Sequence, residues 1–240
     1  MIIFYNVLIN LAFFIAGYLF IGSFNTSIIL SYFFKKDDVR KYHSQNAGAT
    51  NSLRTFGKRF ALIVFIIDFL KVVLTVLIAA LIVHNIINVY FPFQVFVSPQ
   101  VAGFGVVVGH IFPIYFKFKG GKGVVCAASL ILMINVIAFI IASIIFFSIL
   151  VKRKIVSLAS ISVALVMLPM MYNPWFTQGI LGFWINNVEH NDDIIKFLVS
   201  YWYVTPIIFT LTALLVIIMH HSNIKRLIKK EERTLNLNKE

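Results

Sequence analysis

The chain has one cysteine, Cys126, and nine acidic residues against 21 lysines and arginines in 240 residues. A lone cysteine makes no intramolecular disulfide, and Cys126 lies within an apolar run, which places it in a core or against lipid. Charged residues are only 12% of the chain while 60% is hydrophobic, and mean hydropathy is +0.92. So little charge excludes an ordinary soluble domain. The apolar runs do not alternate with polar residues, which excludes a transmembrane β-barrel. Met1 to Asn6 holds no basic residue, so the start lacks the n-region of a secretory signal. Ile2 and the closing Leu237-Asn238-Lys239-Glu240 fit no lipidation motif.

What is present is a series of apolar runs, several long enough to cross a bilayer, which takes about 18 residues or more. They predict an all-α, polytopic integral membrane protein with seven transmembrane helices. The expected spans are Ile2–Ile21, Phe60–Val83, Val101–Phe116, two short helices within Val124–Leu150, Ile155–Met171 and Phe197–Met219. The division of Val124–Leu150 near Asn135 follows from charge. With one span there, Lys152-Arg153-Lys154 and the basic C-terminus would lie outside; with a turn, both lie inside. The positive-inside rule therefore selects the turn, with the N-terminus outside and the C-terminus cytoplasmic. The net charge of +12 then belongs to the inner membrane surface and its anionic lipids, and no nucleic-acid partner is expected. The whole chain, 1–240, is expected to form one membrane-embedded domain with a basic cytoplasmic tail at 220–240. The outer segment 172–196, with its tryptophans, suits a membrane interface.

Three polar segments fall together on the cytoplasmic side of this topology. In Lys119-Gly120-Gly121-Lys122-Gly123, glycines free the backbone so that successive N–H groups are expected to converge on one anion, beside the Lys122 charge. The segment from Ser44 to Asn51, with Arg54 following, offers hydroxyls, amides and a guanidinium suited to a bidentate phosphate. The third segment runs from His220 through Asn223, Ile224, Lys225 and Arg226 to Glu232. The glycine segment is not a Walker loop, because Gly123 follows the lysine and the spacing fails. His220 and His221 are adjacent and cannot share a helical face as zinc ligands do, so no metal is assigned. Asp68 and Lys71 are three residues apart on one face of the second span, where a structural ion pair makes burial tolerable. A transporter of phosphorylated lipids would also combine spans, phosphate sites and buried charge.

The ordered set Ser44-x-Asn46-x-Gly48-Ala49-Thr50-Asn51-x-x-Arg54, Gly109-His110-x-Phe112-Pro113-x-x-x-Lys117-Phe118-Lys119-Gly120-Gly121-Lys122-Gly123 and His220-x-x-Asn223-Ile224-x-Arg226-Leu227 resembles the bacterial acyl-phosphate:glycerol-3-phosphate acyltransferases, the PlsY family. Asp68-x-x-Lys71 and Val156-Ser157-Leu158 also look like segments of that family. The likeness runs from Gly22 to Glu232. Departures are Lys230, where the family usually has glycine, Lys154, where an arginine is usual, and a long outer segment.

The resemblance implies transfer of a fatty acyl group from acyl phosphate to the sn-1 hydroxyl of glycerol 3-phosphate, giving lysophosphatidic acid and phosphate. This is the first acylation of membrane phospholipid synthesis. No cofactor is implied. The implied partners are the two substrates, membrane lipids and an acyl-phosphate-producing enzyme to which the reaction is coupled; the location is a bacterial plasma membrane with the site on the cytoplasmic side. Gly120, Gly121, Lys122 and Gly123, with Gly48, Ala49 and Thr50, are expected to cradle the acyl-phosphate group. Arg54 and Lys122 would hold glycerol 3-phosphate. Ser44, Asn46, Asn51, Ser157, His220 and Asn223 would bind, orient the hydroxyl or shape the site, and Glu232 would hold the third segment. Asp68 and Lys71 are structural. Direct transfer is favoured, with His43, His110, His220 or the donor's own phosphate as base.

Overall fold

The computed structural model describes residues 2–91, 95–173, 176 and 201–235. The described residues form helices joined by turns. They are α1 (Ile2–Ala16), α2 (Thr26–Lys35), α3 (Ala49–Phe56), α4 (Lys58–Ile82), α5 (Asn88–Tyr90), α6 (Pro99–Ile111), α7 (Val124–Ile134), α8 (Val136–Arg153), α9 (Val156–Met171), α10 (Val204–Met219) and α11 (His221–Ile228). The expected outer segment 172–196 lies almost entirely outside the described residues, as do the end of the tail and the start of the last expected span.

Among the described residues, four stretches are long and apolar enough to cross a membrane, namely Ile3–Lys35, Lys58–Tyr90, Pro99–Phe116 and Val136–Arg153. The pair α10 and α11, bent by 57°, makes a fifth when taken as one broken span. Shorter apolar helices, α7 and α9, stand beside them. Their outer faces carry exposed Leu62, Ile66, Leu74, Ile78, Ile144 and Phe147. Such a belt is stable against lipid and not against water.

Local chemistry sets the helix ends. The Asn25 side chain accepts from Ile28 N and starts α2, so the first apolar run ends and a separate helix follows. Asn135 separates α7 from α8. Its own N–H bonds Ile131 O at 2.8 Å, closing α7, and its Oδ1 accepts from Ala138 N at 2.8 Å, opening α8. The turn that charge counting placed near Asn135 is therefore built by that residue.

The centre of the bundle is α6, which packs on α1, α4, α7 and α10. It approaches the first span backbone to backbone. A Cβ on Gly105 would lie 2.2 Å from Phe14 O, and one on Gly109 would lie 2.6 Å from Tyr18 O. Only glycine permits that contact. On its other side Val106, Val107 and Ile111 join Val72, Val76 and Leu130 in the main core. This fixes the end of α6, and with it the glycine segment, against the bundle.

Candidate active site

The three polar segments meet at one end of the bundle. Ala47 N donates to Gly120 O at 3.1 Å, joining the first to the second. Asn25 Nδ2 donates to Ala47 O at 3.4 Å and to His110 O at 3.3 Å, holding both from beneath. Lys122 Nζ donates to Asn223 Oδ1, joining the second to the third. Asn25 and Arg40 were not among the expected site residues. Arg40 donates to Phe116 O and Lys119 O, both at 3.1 Å, while Asp38 holds its other face. The signal for Asn25 was an N-cap residue ahead of a helix; Arg40 had no local signature.

One expectation is corrected. The Gly120 and Gly121 amides do not face a ligand: Gly120 N donates to Ile111 O at 3.1 Å and Gly121 N to His110 O at 3.0 Å. These glycines are needed for space. A Cβ on Gly120 would sit 2.1 Å from His110 O, and one on Gly121 would sit 2.0 Å from His110 Nε2. The amides left open come one step later. Gly123, at φ +75°, turns the chain into α7 without a side-chain cap, and no acceptor among the described residues takes the N–H of Gly123, Val124 or Val125. The start of α3 repeats this. Gly48 is extended and gives no cap, leaving the amides of Ala49 and Thr50 open. An uncapped helix start is an anion site through its free N–H groups and dipole.

Cations surround these two helix starts. Arg54 makes no hydrogen bond or ion pair with the described residues; burial, and Arg233 and Arg226 nearby, lower its pKa. Burial likewise pushes Lys122 down to about 8, with Arg226 and Arg54 adding to the effect against Glu232. Glu232 is the anion that organises them. It accepts from Ser157 Oγ at 3.0 Å, Asn223 Nδ2 at 2.7 Å and Arg226 Nε at 2.7 Å. By taking the Asn223 amide nitrogen it aims the amide oxygen at Lys122. Ser157 is thereby spent on Glu232.

His220 sits at the bend past the end of α10, 2% exposed. Its Nδ1–H donates to Val216 O at 2.7 Å, which leaves the Nε2 lone pair free. Burial, with Lys122 beside it, pushes its pKa down to about 4. His110 is buried with its Nδ1 3.1 Å from Lys71 Nζ, and His43 is exposed. Ser44 is exposed and Asn46 and Thr50 are half-buried on the rim. Asn51 stands apart: 2% exposed, it accepts from Ser44 N and donates to Val39 O and Tyr42 O, so it shapes the loop. Asp68 and Lys71 pair at 2.8 Å below the site.

The third segment is no detached tail. Leu235 N donates to Lys154 O at 2.6 Å, strapping residues 229–235 across the end of α8. The strap begins with a Schellman motif, Lys230 N to Leu227 O and Glu231 N to Arg226 O, with Lys230 at φ +58°. That left-handed position is where the family's glycine would stand. Lys230→Gly is expected to stabilise the protein by about 1 kcal/mol, the relief of a left-handed residue less the added freedom of the unfolded chain. In thermal unfolding that is a rise of about 2–4 °C with activity unchanged; a fall would mean that Lys230 makes a stabilising contact of its own.

An apolar cleft of about 160 Å³ opens from this site between α4, α7, α8, α9 and α10. Val124, Val125 and Val216 form its rim at the α7 start, and Phe69, Phe139 and Phe209 line it further in.

The profile of the family described as glycerol-3-phosphate acyltransferase matches residues 11–230. A glycerol-3-phosphate acyltransferase of Mycoplasmopsis agalactiae is 53% identical over 99% of this chain and 98% of that one. One from Macrococcus caseolyticus is 33% identical over 91% and 94%. The crystal structure of PlsY, an integral membrane glycerol 3-phosphate acyltransferase, in its glycerol 3-phosphate form superposes with a TM-score of 0.69 at 26% identity, covering 95% of this chain and 96% of that one. Its lysophosphatidic acid form gives 0.66.

Proposed function

The chain belongs to the PlsY family of integral membrane glycerol-3-phosphate acyltransferases, and from that premise we propose that its acyl donor is acyl phosphate and its acceptor atom the sn-1 hydroxyl of glycerol 3-phosphate. The acylation of glycerol 3-phosphate itself, in a bacterial membrane and in phospholipid synthesis, follows from the family. The observation that carries the donor is the junction of the apolar cleft with the uncapped start of α7. A fatty chain lying in the cleft brings its head group to the free amides of Gly123, Val124 and Val125, and a phosphate there is matched in charge and in donors. Coenzyme A or a carrier protein is not needed to fill that site.

Glycerol 3-phosphate is assigned to the neighbouring cations. Arg54, without a hydrogen bond or ion pair among the described residues and near Arg226 and Arg233, takes the phosphate dianion, with the amides of Ala49 and Thr50 and the groups Ser44 and Asn46 close by. Lys122 lies between the two anions. In the transfer, the sn-1 oxygen attacks the acyl carbonyl carbon and the bond from that carbon to the phosphate oxygen breaks. The bond electrons leave with the phosphate. The hydroxyl proton goes to the departing phosphate, whose basicity near pH 6–7 exceeds that of His220, held near 4. His220 Nε2 then orients the hydroxyl by accepting its hydrogen bond. Positioning and electrostatic stabilisation do the rest. Cys126 lies within 4.8 Å of His110 but is fully buried with its Sγ directed at Asp68 O, so among the described residues no accessible nucleophile–base pair argues for an acyl-enzyme.

Orientation is inferred from charge. The site end carries Lys35, Lys36, Arg54, Lys58, Arg59, Lys152, Arg153 and Lys154, so it is assigned to the cytoplasm. The seven spans are α1 with its continuation to Gly22, α4, α6, α7, α8, α9 and α10.

Purified protein should release phosphate and 1-acyl lysophosphatidic acid in equal amounts from acyl phosphate, and none from acyl-CoA. Turnover of acyl-CoA would overturn the donor; the 2-acyl product would overturn the regiochemistry. Ala164 lines the cleft on α9, eight residues and about 12 Å of helix beyond Val156. Ala164→Phe should cut kcat/KM for long-chain donors at least tenfold relative to short ones, since each methylene denied burial costs about 0.8 kcal/mol. Equal loss for all chain lengths would remove the chain from this cleft.

A further inference from the structure

The turn that leads from α6 into the glycine segment is strained, and one side chain from another part of the chain grips it. Lys117 and Phe118 follow one another in the left-handed conformation, each at φ +58°. A residue other than glycine takes that conformation about tenfold less readily than its alternatives, so two in succession need a cause. Their own side chains supply none, since Lys117 is exposed and Phe118 is 55% exposed. From within, Phe116 N and Phe118 N close the turn by donating to Pro113 O at 3.0 and 2.9 Å.

The grip from outside is Arg40. Its Nη1 donates to Phe116 O and to Lys119 O, the carbonyls on either side of the left-handed pair, both at 3.1 Å. Its Nε lies 3.1 Å from each Asp38 carboxylate oxygen and its Nη2 donates to Asp38 Oδ2 at 2.7 Å, a fork that fixes the plane of the guanidinium. Its base is fixed as well, because the adjoining Val39 is buried with Ile28 and Ala47, and Phe116 packs against them. All three nitrogens are engaged within the protein. Arg40 therefore has no two-pronged edge left for a phosphate, in contrast to Arg54.

The residue after Lys119 is where the polar segments join. Gly120 O accepts from Ala47 N at 3.1 Å, and Gly48, next to Ala47, opens the uncapped start of α3. Two residues beyond Gly120, Lys122 reaches Asn223 of the third segment. A change of direction at Phe118 is thus passed to all three segments at once.

We propose that Arg40, aimed by Asp38, is a positioning residue that holds Lys117 and Phe118 left-handed and so sets the direction in which the glycine segment enters the site, with an effect on both substrates alike. This rests on the reading that the glycine segment lies in the acyl-transfer site.

The test is steady-state kinetics and thermal unfolding of Arg40→Lys, Lys117→Gly and the double variant, with Lys122→Ala measured alongside. An ammonium pairs with Asp38 but lacks the planar fork that also bridges two carbonyls. Arg40→Lys is expected to raise the KM for acyl phosphate and the KM for glycerol 3-phosphate about tenfold each. Its Tm should fall by no more than about 2–4 °C, the size of a partly exposed ion pair. Lys117→Gly alone, at an exposed position, should leave both KM values within about twofold. Glycine takes the left-handed conformation at no steric cost, so in the double variant it should return both KM values to within about threefold of wild type. Unchanged KM values in Arg40→Lys, with kcat lowered through the active fraction, would overturn the proposal, and this decides even where the variant folds poorly. Raised KM values that Lys117→Gly does not recover would overturn it too, because Arg40 would then act through something other than the turn. Wild-type activity in Lys122→Ala would instead remove the glycine segment from the site, and the proposal with it.

Discussion

Lys122→Ala is expected to lower kcat/KM for acyl transfer by about 10³-fold, the loss seen when one preorganised donor is removed from a site of developing charge. Three observations set this size. Lys122 is the cation nearest the α7 start, its ammonium is held by Asn223, and burial depresses its pKa to about 8, so its charge is only thinly compensated until an anion arrives. The same depression predicts a pH profile. The free enzyme loses the Lys122 charge as pH rises through about 8, and kcat/KM falls there. On the acid side, glycerol 3-phosphate loses its second charge below about pH 6, so the profile is a bell. Lys122→Arg keeps a charge at every accessible pH. It should retain substantial activity and move the alkaline limb above pH 9. A Lys122→Ala protein with wild-type kcat/KM would take the ammonium out of the reaction; an alkaline limb unmoved in Lys122→Arg would assign it to another group.

Glu232→Ala is expected to cost more in structure than any surface change. It removes a carboxylate whose side chain is 5% exposed and which accepts from Ser157, Asn223 and Arg226. Three donors, one of them charged, are left without their acceptor, a loss of about 3–5 kcal/mol. The Asn223 amide is then free to flip, and its oxygen no longer faces Lys122. Activity should fall about 10²-fold or more, mainly through kcat. Glu232→Gln separates the two effects. It keeps the acceptor oxygen for Asn223 and loses the pair with Arg226, so it should recover most of the activity but little of the stability. Thermal unfolding in detergent and transfer kinetics on both variants check this. Equal activity loss in both would mean that the Arg226 charge pair, and not the orientation of Asn223, is what the site needs.

Several features were legible from the sequence because they depend on local pattern. Unbroken apolar runs give membrane helices, since a bilayer leaves the backbone no other way to satisfy its hydrogen bonds. The turn at Asn135 followed from counting lysines and arginines on either side, and an asparagine able to cap one helix and close another is there to make it. The family followed from three motifs in order.

Which face of each group points where was decided only in three dimensions. Gly120 and Gly121 sit in a segment whose composition says anion nest, yet their amides bond the end of α6 and the amides left without an acceptor among the described residues begin at Gly123; hydrogen-bond direction depends on where His110 and Ile111 arrive, and they come from another helix. Ser157 and Asn51 carry groups suited to substrate, but a partner 75 residues away in one case and a neighbouring loop in the other consume them. Arg40 has no local signature, and the N-cap signal at Asn25 does not reveal its partners, because these contacts span 22 to 85 residues of sequence. The sequence by itself determined that this is a helical membrane acyltransferase with its polar motifs at one end. The tertiary structure decided which atoms of those motifs remain unpaired, because that depends on backbone and side-chain partners brought together by packing around α6.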